Sequence, residues 1–208
     1  MIDQFMTATF DTTQTGDVSL EAAETYLQAA QRCLASDRPA GLEALNDLFH
    51  SGSVARPDGR TRGQLVALDI APGLTPLLGG LLARWRPWQG KVFDRDANRG
   101  ENVFTRDSYL PARAIWPFYR RYSDDGPATY RAFPFRTSAG PARDDPGRAV
   151  LRLDYDLPAN PHAAISVRRV LDELVQVADG LYLGKAYVHW YRSNWSLVAY
   201  FALRPVLI

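Results

Sequence analysis

Lysine is almost missing from these 208 residues: there are two, against 22 arginines. Cysteine occurs once, methionine twice and histidine three times. A single cysteine, Cys33, excludes an internal disulfide, and its helical neighbours Leu27, Ala30 and Leu34 make it read as a small buried hydrophobe in a reducing compartment. His50, His162, His189 and that cysteine have no metal-ligand spacing, so no metal is expected. An excess charge of one sign is missing too. Twenty-four basic residues stand against 23 acidic ones, a formal net charge of +1, which leaves no electrostatic footprint for nucleic acid. No apolar run reaches the roughly 18 residues of a membrane span. G-x-G-x-x-G, P-loop and G-x-S-x-G motifs are absent, the run Gly73 to Gly80 lacks a Lys-Ser/Thr ending, and no cofactor is expected. The N-terminus has neither a basic n-region nor an apolar h-region, so the expected location is cytoplasmic.

What is present is a change of periodicity along the chain. Residues 1–18 read as a flexible tail and 19–208 as a single domain. Ser19 is a helix N-cap, and Leu20, Ala23, Leu27, Ala30 and Leu34 keep helical spacing until Asp37 and Pro39. A second helix carries Leu42, Leu45, Leu48 and Phe49 and stops near Gly52, making 19–52 a helical hairpin with an apolar stripe. After the Pro57-Asp58-Gly59 turn, the part from 60 to 208 is β-rich. About eight strand-like runs are separated by Gly, Pro, Asp and Asn, near 63–70, 90–94, 101–106, 128–133, 149–155, 168–177, 181–191 and 195–204. Between Thr137 and Gly147 the composition is that of a mobile loop tip. One apolar helix interrupts the strands: Leu74, Leu77, Leu78, Leu81, Leu82 and Trp85 share a face. Its two alternatives are a buried core helix and a lid, with Trp85, Trp88, Arg84 and Arg86 giving residues 74–88 the character of a membrane contact. The expected class is therefore α+β: a helical hairpin, then a mainly antiparallel β-barrel or strongly bent sheet, with one helix inserted.

The C-terminal meander locates candidate chemistry. Asp179-Gly180 is a hairpin signal, and a two-residue turn there sets Leu174 opposite Lys185, Asp172 opposite Tyr187 and Val170 opposite His189. A second such turn at Ser193-Asn194 sets Tyr187 opposite Tyr200. Alternation then puts Asp172, Gln176, Lys185, Tyr187, His189, Tyr200 and Arg204 on one face, with Glu173 and the apolar residues on the other. That polar face is either a solvated outer surface or, if the helices cover the apolar face, the lining of a cavity.

The scarcity of lysine sharpens this. In a chain biased toward arginine, Lys91 and Lys185 stand where an ammonium is not replaced by a guanidinium, and each follows a glycine that permits close approach. Lys185, Tyr187, His189, Tyr200, Lys91, Trp85 and Trp88 are thus the candidate ligand contacts. His189, Asp172 and Tyr187 are candidate acid/base groups.

The strand number, the stretch Trp85-Arg86-Pro87-Trp88 and the hairpins closing through Leu203 resemble those of the lipocalin or calycin proteins. The likeness covers about residues 60–208, and the segment Gly180-Leu181-Tyr182-Leu183-Gly184 also resembles one in uncharacterised bacterial proteins. The family's Gly-x-Trp signature is absent, because Ala83 and Arg86 stand two places before Trp85 and Trp88. The resemblance implies a small barrel that binds lipophilic ligands. Two functions follow: a soluble binding protein for an apolar or amphipathic small molecule, one with an anionic head included, or a cofactor-free acid/base enzyme (isomerase, cyclase or hydrolase) using His189, Asp172 and Tyr187.

Overall fold

The structure is a computed structural model that describes residues 18–68, 87–162, 166–190 and 194–206. Helix α1 spans Leu20–Ser36 and starts where the Ser19 side chain accepts the Ala22 N–H at 3.2 Å. Helix α2, Arg38–Ser51, starts where Asp37 accepts from Ala40 N at 3.2 Å, with Pro39 in its first turn. Both are the capped starts that short polar residues provide. The expected tail at 1–17 and the expected helix at 74–86, with Trp85, lie outside the described residues.

Among the described residues ten strands follow: β1 Ser53–Val54, β2 Gly59–Leu68, β3 Trp88–Asp94, β4 Arg99–Thr105, β5 Ser123–Asp124, β6 Thr129–Pro141, β7 Ala149–Asp154, β8 Val170–Ala178, β9 Leu181–His189 and β10 Trp195–Pro205. A short helix, α3 at Tyr109–Ile115, is inserted between β4 and β5. Eight of the strands form a closed antiparallel barrel. Each of β2, β3, β4, β6, β7, β8, β9 and β10 pairs with its neighbour in the chain, and β10 closes on β2. The two-residue β1 lies against β8, and β5 against β6. The class is α+β, with an up-and-down barrel closed by β10 on β2.

The barrel has two apolar cores. Outside it, Ala23, Leu27 and Ala30 of α1 and Leu45, Leu48 and Phe49 of α2 pack against Val175, Val177, Leu181, Leu183, Tyr200 and Ala202. Inside it, Phe93, Phe135, Leu153, Leu174, Tyr182, Phe201 and Leu203 fill one end. Each fully buried Leu or Phe contributes roughly 1.5–3 kcal/mol relative to exposure. Arg204 on β10 fastens α1 through a two-pronged pair to Glu24 at 2.6 and 2.7 Å.

Bulges decide which side chains go where. Ala178 pairs with Leu181, as the Asp179-Gly180 turn requires, but the register slips at Val177 so that Gln176 meets Tyr182. Glu173 consequently faces Lys185, and Asp172 faces Ala186. A one-residue slip exchanges the faces of a strand. Asp172 and Gln176 therefore leave the face of Lys185, and Glu173 joins it. A second slip near Val198 puts Lys185 opposite Tyr200 and Leu197 opposite Tyr187. The helices cover the face carrying Lys185 and Tyr200, so the face with Gly184, Phe201 and Leu203 is the one that turns inward. The expected loop tip at 137–147 is shorter than its composition suggests, since β6 runs on to Pro141. Cys33 is half-buried rather than buried, its thiol donating to the Asp37 carbonyl at 3.6 Å.

Candidate functional site

At the end opposite its packed core the barrel holds a cavity of about 1450 Å³. Its walls are apolar and aromatic: Leu65 and Ala67 of β2, Trp88, Phe104, Tyr130, Phe133, Val170, Ala186, Ala199 and Phe201, with Pro111, Ala112, Ile115 and Trp116 at the mouth. The ladder between β2 and β3 is short. Only Gly59 with Phe93 and Arg60 with Val92 are paired there. The ladder stops there although Gly63 and Gly90 stay in near contact, and the cavity lining extends past β2 to Leu34 and Arg38 of the helical pair.

Lys91, Asn102, Tyr155 and Asp172 form the floor. Lys91 Nζ donates to Asp172 Oδ2 at 2.9 Å, Asn102 Oδ1 at 2.8 Å and the Tyr155 hydroxyl at 2.5 Å. Tyr155 in turn donates to Asp172 Oδ2 at 3.1 Å, and Trp88 Nε1 to Asn102 Oδ1 at 3.1 Å. The Asn102 amide donates to the Phe133 carbonyl at 3.2 Å and to the Tyr155 hydroxyl at 3.0 Å. An ammonium has three N–H groups, and all three are used. The pair is almost sealed, with side-chain exposures of 3% and 5%. Burial pushes the Lys91 amine down, Asp172 opposing it, and burial together with the Asp172 charge pushes Tyr155 well up.

Four aromatic rings surround Lys91 Nζ: Trp88, Phe135, Tyr155 and Phe201, at 5.1–5.5 Å from their centroids. Three of them lie on strand glycines. A Cβ on Gly63 would stand 2.5 Å from the Trp88 ring, one on Gly100 2.5 Å from Phe135, and one on Gly184 2.2 Å from Phe201. The glycine before Lys91 answers a different need. Gly90 has φ +136°, and a Cβ there would come within 2.2 Å of the Thr61 carbonyl, so β2 crosses it in near contact. Where the ladder stops, the Thr61 hydroxyl donates to the Lys91 carbonyl at 2.8 Å and accepts the Lys91 N–H at 3.3 Å.

Phe133 carries the strain of this region. Its φ of 54° is rare for a residue with a Cβ. It sits at the bulge where β6 slips against β4, between Phe135 opposite Gly100 and Ala132 opposite Asn102. The conformation aims its carbonyl at Asn102 and its N–H at the Tyr119 hydroxyl, 2.7 Å away.

Of the residues singled out by sequence, Lys91, Trp88 and Asp172 meet here. Lys185 and Tyr200 meet elsewhere, under α2 on the outer face. There Lys185 Nζ donates to Asn46 Oδ1 at 2.6 Å and to the Asp144 carboxylate, above the Phe49 ring at 4.3 Å. Glu173 opposite it accepts the Arg143 N–H at 2.9 Å, and burial pushes its carboxyl up to about 6, that hydrogen bond opposing. Tyr187 is buried on the same face, its hydroxyl pushed up by burial and by Glu173. His189 stacks on Trp195 at 4.9 Å, and Arg143 covers that indole at 4.4 Å. The trio His189, Asp172 and Tyr187 is thus divided by the barrel wall. Asn102 and Tyr155 are the site residues that sequence reasoning missed. An asparagine inside an apolar strand run and glycines at strand centres are the signals that point to them.

Chemically, the floor is a hydrogen-bonded, charge-balanced group at the bottom of an apolar chamber. Compared with known protein families, curated proteins and solved structures, the chain has no match.

Proposed function

We propose that the protein binds a small lipophilic molecule in the open half of the barrel, tail toward the mouth and polar end toward Lys91, Asn102, Tyr155 and Asp172. One observation carries this reading: a large, mainly apolar cavity has a buried, fully hydrogen-bonded polar cluster in its wall, the usual make-up of a small-molecule site. The eight-stranded meander with its chamber supports the lipocalin-like resemblance at the level of architecture. The charge balance refines the ligand. Lys91 is already neutralised by Asp172 and has no N–H to spare, so a carboxylate or phosphate would have to displace Asp172. An uncharged end that can donate a hydrogen bond to the Asp172 carboxylate, a hydroxyl, fits the floor better than an anion does.

Native mass spectrometry of the purified protein tests this. The expected result is a co-purifying neutral lipophile, or restored occupancy on adding a long-chain alcohol. Ala186→Trp, which puts an indole into the chamber, abolishes that occupancy while leaving the fold's circular dichroism intact. Occupancy unchanged in Ala186→Trp refutes the proposed location.

The acid/base reading survives in altered form, because Asp172 lies in hydrogen-bond contact with a lysine and a tyrosine at the floor of that chamber. It requires turnover of a bound ligand that is lost in Asp172→Asn and Tyr155→Phe.

A further inference from the structure

Residues 109–122 surround part of the cavity mouth and have an unusual surface. Helix α3 turns Pro111, Ala112 and Ile115 toward the cavity, yet its opposite side carries exposed apolar groups beside Arg113. Leu110 is 75% exposed, and Phe118, just beyond the helix, is 90% exposed. Large exposed apolar side chains of this kind mark contact surfaces. Trp190, half-exposed, ends β9 at the same end of the barrel.

The charge of this segment says what the contact is. Between Tyr109 and Tyr122 there are three arginines, Arg113, Arg120 and Arg121, and no acidic residue, in a chain whose charges otherwise balance. All three are exposed. Arg113 lies over the Tyr109 ring at 5.8 Å, and among the described residues none of the three is ion-paired. The flanking carboxylates are engaged: Asp107 accepts from Thr105 and Asp124 from Arg106. Exposed Leu and Phe beside guanidinium groups that are unpaired among the described residues are the components of an interfacial membrane anchor, while Trp116 and Tyr119 pack inward on Phe133. A protein partner would be expected to offer acidic groups one by one, whereas an anionic bilayer presents both a negative surface and an apolar layer a few ångströms deeper.

We propose that the 109–122 segment docks the cavity mouth onto an anionic lipid surface, so that a lipophilic ligand passes between bilayer and barrel without crossing water. The purpose of docking rests on the cavity reading above, but docking of ligand-free protein is measured independently of it.

The experiment is co-sedimentation of the full chain with vesicles of phosphatidylcholine alone and of equal parts phosphatidylcholine and phosphatidylglycerol. Binding is expected to the anionic vesicles and to weaken with salt. Each arginine changed to glutamine, in Arg120→Gln and Arg121→Gln, is expected to lower the partition coefficient about fivefold, the effect of one basic residue at such a surface. Phe118→Ser, at a position too exposed to hold the fold together, is expected to lower it by about tenfold. Leu20→Ser, an exposed leucine at the closed end near Gly180, leaves it unchanged. No binding to anionic vesicles, equal binding to neutral ones, or equal loss in Leu20→Ser and Phe118→Ser overturns the proposal. Failure of docking with ligand occupancy retained leaves the cavity reading standing, and loss of occupancy with docking retained does the reverse.

Discussion

The two lysines of this chain lie on opposite sides of one barrel wall, and the difference between them separates what closes the chamber from what fastens its outside. Lys91 faces inward and pairs with Asp172, both side chains at least 95% covered. Lys185 faces outward and is fully covered, but its partner Asp144 keeps 36% of its side chain in water. The inner pair cannot lose one member without leaving the other as a bare charge in an aromatic box. The outer pair can lose Lys185, because Asp144 rehydrates in place. Two chemically similar ion pairs therefore have different costs of disruption, set by the exposure of the partner rather than by contact distance.

The largest effect follows from the inner pair. Asp172→Asn keeps the shape and leaves the Lys91 ammonium uncompensated, and it is expected to cost about 3–5 kcal/mol in denaturant unfolding. The double variant with Lys91→Met is expected to recover much of that loss, which a double-mutant cycle measures as coupling. Additive losses would mean that the two groups do not act as a pair. Next comes Gly184→Ala, on the same inner face. Its methyl would stand 2.2–2.6 Å from the Phe201 ring, and displacing that ring from the lysine is expected to cost about 1–3 kcal/mol. Lys185→Met, on the outer side, is expected to cost only about 1 kcal/mol, because the methionine stem still packs on Phe49. Its clearest signature is faster hydrogen exchange in the 142–148 turn, whose Asp144 it releases.

One further effect has the opposite sign. Glu173 has its carboxyl held at about 6 against an ordinary 4.5, so between these values the folded chain holds a proton that the unfolded chain releases. Its contribution is fully present below pH 4.5 and is lost as pH rises through 6, about 1–2 kcal/mol in all. Glu173→Gln is expected to raise stability by that amount at pH 7 and to flatten the curve between pH 4.5 and 6. Asp144 works the other way. Its carboxyl is held below the usual 3.8 by the hydrogen bond and charge of Lys185, against its own burial, so its contribution is present at neutral pH and fades only in stronger acid.

Much of the fold was legible in the sequence because it is written locally. Ser19, Asp37 with Pro39, and Gly52 mark the helix ends by capping chemistry, and the strand runs are bounded by turn residues. The sides of the strands were not legible beyond the first pair. The Asp179-Gly180 turn does set Ala178 against Leu181, but a bulge at Val177, in a run of apolar residues with nothing to flag it, exchanges Asp172 for Glu173 on the face of Lys185. The site was half legible for the same reason. The rarity of lysine pointed to Lys91, whose partners come from β4, β8 and the end of β7, strands whose spacing no local pattern records. His189 was put on the face of Asp172 by the unslipped register, and its neighbour is Trp195, not a carboxylate.

With only two lysines in the chain, selective ¹⁵N-lysine labelling with detection of the side-chain Nζ groups reports on both sides of the wall at once. Titration with a long-chain neutral alcohol is expected to shift the Lys91 signal and leave that of Lys185 in place, and Ala186→Trp is expected to abolish the shift. A titration that moves Lys185 while Lys91 stays still would place the ligand outside the barrel and contradict the account.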